Sequence, residues 1–396
     1  MENTLQAHTG AARLRLDTVK GEVTLMTKRI ILLIAVFALV LSLTGVSMGQ
    51  AAFKIGIITG TVSQGEDEYR GAEAAIKKYP GLLVHRTYPD NFMQEQETFI
   101  AQVAALASDR TIKAIVINQG VPGTIAAIRK ARETRPDLIF VVGEPHEDPA
   151  MVERVADVSL IPNNILRGTT IVELAHKMGA KKFLHYSFPR HMSYVDLSQR
   201  RDIMEATCKR LGMEFIFVNA PDPLGEGGLS AAQQFVLEDV PRQVAKHGKD
   251  IAVFSTNCGM QEPLITATIK AGAIFPEQCC PSPTHGYPAA LGLAITDSMK
   301  GNFPAIVKAI NSALVAKGMA GRFATWPVAS SYLNSTASVE IAKLAVEKKL
   351  NISDMAAVQK VFQSEAGVPV AMERLSTNGQ FYRYLVGSII FGKDVK

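Results

Sequence analysis

Short β-branched runs alternate with longer stretches of helical apolar spacing along most of the chain, and this alternation restricts the fold more than any single motif does. Phe53 to Thr59 reads FKIGIIT and ends at Gly60. Glu66 to Tyr79 follows, with Tyr69, Ala72, Ala75, Ile76 and Tyr79 at helical spacing, so a strand feeds a helix. The unit recurs. Leu82 to Tyr88 reads as a strand, Gln94 to Ser108 as a helix with Phe99, Val103 and Leu106 on one stripe, and Ala114 to Ile117 as a strand. Thr124 to Arg132 is then a helix and Leu138 to Val142 a strand. Strands separated by helices of this length pair in parallel, because the helix supplies the crossover that a hairpin lacks.

A further strand over Val155 to Ile161 leads to Pro162-Asn163-Asn164, where a crossing to a second lobe is expected. The alternation then restarts with helix Leu166 to Met178, strand Lys182 to Ser187, helix Ser198 to Leu211 and strand Glu214 to Val218. Helix Leu229 to His247, strand Ile251 to Ser255 and helix Pro263 to Ala271 continue it. Phe303 to Lys317 and Ser338 to Lys348 read as amphipathic helices, and Tyr382 to Phe391 alternates like late strands. The expected fold class is α/β, with two doubly wound parallel-sheet lobes joined by crossing strands. Residues 52–161 are assigned to lobe 1, 162–325 to lobe 2, and 326–396 to a crossing segment that returns to lobe 1.

Residues 1–51 stand apart. Lys28-Arg29, the apolar run Ile30 to Leu43 and the small residues from Thr44 to Ala52 have the order of a secretory signal peptide. The run is shorter than the roughly 20 residues a membrane span needs. Cleavage is expected near Ala51, Met1 to Leu25 reads as a start-site extension, and no cysteine near the run offers a lipid acceptor. The expected location is the periplasm. The remaining chain carries 37 Lys+Arg against 34 Asp+Glu, too even a balance for a nucleic-acid partner.

The opening Phe53-Lys54-Ile55-Gly56-Ile57-Ile58-Thr59-Gly60, with Arg70-Gly71-Ala72-Glu73-Ala74-Ala75 on the next helix, resembles a type I periplasmic binding protein. It is similar to the basic-membrane-protein lipoproteins and to an uncharacterised family of exported bacterial proteins. The resemblance implies two lobes with crossing strands as a hinge, a small-molecule solute in the cleft between them, and a membrane transporter as partner. A ligand sensor for a membrane receptor uses the same cleft.

Candidate ligand groups follow from the sheet physics. In an open parallel sheet, ligands sit beyond the carboxyl ends of the strands, where free helix N–H groups point. The loops there supply Thr61, Ser63 and Gln64, then Asn118 and Gln119, then Glu144. In the second set they supply Tyr186, Ser187 and Arg190, then Asn257 and, in a later loop, His285. Trp326 and Tyr332 lie where a later crossing is expected, though a lone Trp is usually core. After the leader there is no Gly-x-Ser-x-Gly elbow, no dinucleotide fingerprint and no phosphate loop, so no cofactor and no catalytic residue are expected. Cys208, Cys258, Cys279 and Cys280 match no strong zinc spacing, and no metal is expected. Cys258 is expected near the Cys279-Cys280 pair, with a disulfide among them. The enzyme alternative is a cysteine site using Cys258 or Cys279 with His285.

Overall fold

The computed structural model describes residues 53–395; the expected leader and cleavage point lie outside the described residues. The strands are β1 (Lys54–Thr59), β2 (Leu83–Thr87), β3 (Ile112–Asn118), β4 (Ile139–Gly143), β5 (Val158–Pro162) and β6 (Lys182–Ser187), followed by β7 (Glu214–Asn219), β8 (Ile251–Ser255) and β9 (Ala324–Thr325). The last three are β10 (Val370–Arg374), β11 (Phe381–Val386) and β12 (Ile389–Ile390). A seven-stranded sheet has the order β10-β11-β5-β4-β3-β1-β2, a three-stranded sheet the order β7-β6-β8, and β12 pairs with β9. Every pairing in the two larger sheets is parallel except the edge pair of β10 with β11. This is the doubly wound α/β architecture that the alternation predicts.

Burial explains which runs became central strands. Ile55 to Thr59 of β1 are all buried, as are all five residues of β5 and of β8, the signature of strands covered by helices on both faces. The helices Val62–Lys78 and Ser330–Val346 cross closely at Gly71. A Cβ there would lie 2.7 Å from the Tyr332 carbonyl oxygen, so the close approach needs glycine.

The winding direction reverses at one place in each larger sheet. The chain goes from β1 to β2 on one side and then to β3 on the other; likewise β6 is flanked by β7 and β8 on opposite sides. Each reversal opens a crevice at the strand carboxyl ends. The chain leaves the seven-stranded sheet after Pro162, returns to it through the helix Ser330–Val346, and leaves again after β11.

Two expectations are corrected. Tyr382 to Phe391 is not one returning unit: β11 joins the seven-stranded sheet beside β5, whereas β12, beyond Gly387-Ser388, pairs with β9. The late helix begins at Ser330, eight residues before the expected Ser338. Its first turns bury Ser330, Ser331, Asn334, Ser335 and Ser338, a face with no apolar period to read. Two of these polar groups bond across to the first sheet and its covering helix: Asn334 Nδ2 donates to the Leu160 carbonyl at 3.2 Å and Ser335 Oγ to the Glu68 carbonyl at 3.0 Å. Buried polar groups that find partners do not penalise the helix.

Candidate functional site

A cleft of about 460 Å³ opens where the two reversal crevices face each other. The first sheet contributes the loops after β1, β3 and β4; the second contributes the loops after β6 and β8 and the helix Val195–Arg210. His146 and Tyr194, from opposite sheets, stack with ring centroids 6.0 Å apart and planes at 24°.

Six of the expected ligand residues line this cleft: Ser63, Gln64, Gln119, Glu144, Arg190 and Asn257. Thr61 sits beside it, where its hydroxyl donates to Asp90 at 2.5 Å while Ser63 donates to the other Asp90 oxygen at 2.8 Å. Gln119 Oε1 meets His146 Nε2 at 2.8 Å. Arg190 holds Asp222 with two parallel bonds of 2.9 and 2.8 Å, and its guanidinium covers the Phe188 ring at 5.1 Å. Asn257 accepts from the Gly259 N–H at 2.9 Å.

The others lie outside the lining. Asn118 is wholly buried and donates to the Ser331 carbonyl and to Ser335 Oγ. Tyr186 is buried, donates to Asp239 at 2.9 Å, and has its pKa pushed up by burial and by that carboxylate. Ser187 pairs with Thr256 at 2.8 Å. His285 places one ring nitrogen 3.1 Å from the Cys280 carbonyl and the other 3.1 Å from that of Cys258.

The electrostatics are set by burial. Glu144 is raised to about 7, chiefly by desolvation, with the Ser331 hydroxyl opposing and Cys279 adding to the rise. Burial, then the Arg190 charge, pulls His146 down to about 4; burial likewise takes His191 to about 4. Both rings are therefore neutral at pH 7. With His146 Nε2 donating to Gln119, its Nδ1 is a bare acceptor with no protein partner. Arg200 is wholly buried, bonds to Asn164 at 2.7 Å, and leaves Nε without a partner. Each guanidinium nitrogen of Arg167 has a partner, in the Glu277 and Asn164 side chains and the Gln278 carbonyl.

His146, His191, Tyr194, Arg167, Arg200 and the cysteine wall were not among the expected ligand groups. The two histidines sit in loops that the strand-end rule already marked. The arginines lie inside helices, on faces that only the fold shows to be inward. Cys258 does lie beside the Cys279-Cys280 pair, its sulfur 3.3 Å from that of Cys280, and all four thiols are free. Among the described residues no group of three or more His, Cys, Asp or Glu is arranged to hold a metal ion.

The geometry has counterparts in known proteins. An uncharacterized protein of Treponema pallidum (strain Nichols) is 36% identical over 189 residues, covering 46% of this chain and 86% of that protein. A second from the same strain is 38% identical over 171 residues, covering 43% and 79%. A protein from Clostridium difficile 630, described provisionally as a transcriptional regulator, superposes with a TM-score of 0.74 at 27% identity, covering 86% of this chain and 99% of that one. An ABC transporter periplasmic solute-binding protein from Actinobacillus succinogenes 130z, with bound D-allose, gives 0.51 at 13% identity, covering 76% and 93%. At that identity the likeness carries the fold alone, which is the type I periplasmic-binding-protein fold. The model of the family described as "Protein of unknown function (DUF3798)" matches residues 53–324, well over half of the chain. The chain belongs to that family.

Proposed function

We propose that this is an exported solute-binding protein, which captures one small polar organic solute per chain in the cleft and presents it to a membrane transporter. The observation that carries the reading is the cleft's construction: two parallel sheets aim their reversal points at one cavity of about 460 Å³, lined by aromatic rings and a few directed polar groups, as a small-solute pocket requires. His146 Nδ1 is an acceptor for a solute hydroxyl, and the His146–Tyr194 stack ties the two sides across the opening. A solute that touches both sheets stabilises the closed state by its differential affinity, with no covalent step. Likeness in fold to a D-allose-binding transporter component supports the reading. A sensing role uses the same cleft with a different partner, and the Clostridium difficile relative supports it.

A thermal scan against a library of sugars, amino acids and nucleosides tests the binding. A solute at 100 times its dissociation constant is expected to stabilise the protein by about 2.7 kcal/mol. His146→Ala and Arg190→Ala, one from each side, are each expected to weaken the best hit at least tenfold in titration calorimetry. Unchanged affinity in both variants places the site elsewhere.

The exported location rests on the basic, apolar and small-residue order of residues 28–52. N-terminal sequencing of protein recovered from a periplasmic extract is expected to begin near Ala51 to Phe53. A product that keeps Met26 and stays with the membrane contradicts it.

A further inference from the structure

Three of the four cysteines line the cleft, and solute binding has no use for them. Cys258 follows β8 at the start of the short helical turn Cys258–Met260, and Cys279-Cys280 lie on the segment running on from Phe275. The His285 ring bridges the two segments, carbonyl to carbonyl. The Cys258 and Cys280 sulfurs are 3.3 Å apart, and Cys279 Sγ lies 3.7 Å from the Arg200 guanidinium. Arg200's other bond is to an amide oxygen.

A thiolate is the attacking species in thiol chemistry, and cations and S–H donors favour it. The Thr256 carbonyl, 2.9 Å from Cys279 Sγ, favours the protonated thiol. Against it stand the neighbouring Cys258 and Cys280 thiols and then the charge of Arg200, which together hold Cys279 well below the usual thiol range. The same network pushes Cys258 and Cys280 well above it. Cys279 is therefore the thiol most readily ionised, and the other two line the cleft with it.

We propose that this wall is a thiol–disulfide exchange site, with Cys279 as the entering nucleophile, Cys258 as the resolving thiol and a small polar disulfide, X–S–S–X, as substrate. Cys279 Sγ attacks one sulfur of the substrate, forming Cys279–S–S–X and releasing X–S⁻ with the bonding pair. Cys258 gives its proton to X–S⁻, making X–SH, and becomes a thiolate. It then attacks Cys279 Sγ, forming the Cys258–Cys279 bond and expelling the second X–S⁻, which takes a proton from solvent. Two protein sulfurs are oxidised by two electrons and one disulfide is reduced to two thiols. Cys280, in contact with Cys258, is placed to lose its proton to solvent and attack Cys258 Sγ, forming the Cys258–Cys280 bond and releasing Cys279 as the thiolate. The site goes beyond solute capture and needs only access through the cleft.

The test uses the full mature protein, reduced, freed of reductant and incubated with 2-hydroxyethyl disulfide at pH 7. Thiols counted after acid quench and denaturation are expected to fall from four to two, with peptide mapping placing Cys258 in the new bond. Cys208, buried and pushed up to about 12, is expected to stay free. The Cys258→Ser/Cys280→Ser variant is expected to stop at one mixed disulfide on Cys279, and Cys279→Ser to slow the reaction at least tenfold. Four thiols remaining in wild type, or the adduct forming at Cys208 or Cys258 with Cys279 untouched, overturns the proposal. Neither result bears on the solute scan, whose failure leaves this site standing.

Discussion

Glu68→Gln is expected to remove a fall in stability that the wild-type protein shows as pH rises from about 4.5 to about 8. The Glu68 carboxyl is wholly buried and raised to about 8 from 4.5, first by desolvation and then by Glu144, while bonds from Tyr88 and the Gly60 N–H pull the other way. The folded state therefore holds a proton through that window that the unfolded state has lost. Its contribution is fully present below pH 4.5 and is lost as pH rises through 8. Three and a half units correspond to on the order of 5 kcal/mol. Glutamine matches the protonated acid, so its oxygen still accepts from Tyr88 and Gly60. The buried histidines His146, His185 and His191 are lowered, and act in the opposite sense at acid pH. They cancel when the variant is compared with wild type at each pH. Urea unfolding from pH 5 to pH 8.5 measures the difference, and parallel curves would show that Glu68 is ionised in the fold.

Arg167→Met is expected to cost about 3–5 kcal/mol, because it leaves a buried carboxylate without its cation. Arg167 and Glu277 are about 1% and 3% exposed and 2.8 Å apart. The same guanidinium also satisfies Asn164 and the Gln278 carbonyl and lies 5.7 Å from the Trp326 ring. The Arg167→Met/Glu277→Gln double variant is expected to regain part of the loss, since the unpaired charge goes with Glu277. Urea midpoints of the three proteins decide it; a loss under about 1 kcal/mol for Arg167→Met contradicts the assigned role of the pair.

Most of the succession of strands and helices was legible because strand and helix periods differ and the chain punctuates them with Gly, Pro and Asn. Lys182 to Ser187 and Ile251 to Ser255 were read to the residue as β6 and β8. β10 and the helix Met355–Ala366 were not read: β10 is an edge strand with only Val370 buried, and the helix buries just Val358 and Phe362. The strand-end rule led to loops that line the cleft but could not say which side chains turn inward. Tyr186 and Ser187 are still inside β6 and point into its core, whereas His191 and Tyr194, a few residues on, reach the cleft. Arg200 was invisible for another reason. A buried arginine on a helix has the sequence signature of a solvated one, and only the fold shows that Asn164 and Cys279 enclose it.

The central claim is that the cleft holds one small solute. Native mass spectrometry of protein purified gently from an exporting host, compared with its denatured mass, tests this most directly. One non-covalent adduct of a few hundred daltons per chain, lost on denaturation and weakened by His146→Ala, is the result the cleft predicts. Identical native and denatured masses, with no adduct recovered on adding back the small-molecule extract of the host, contradict it.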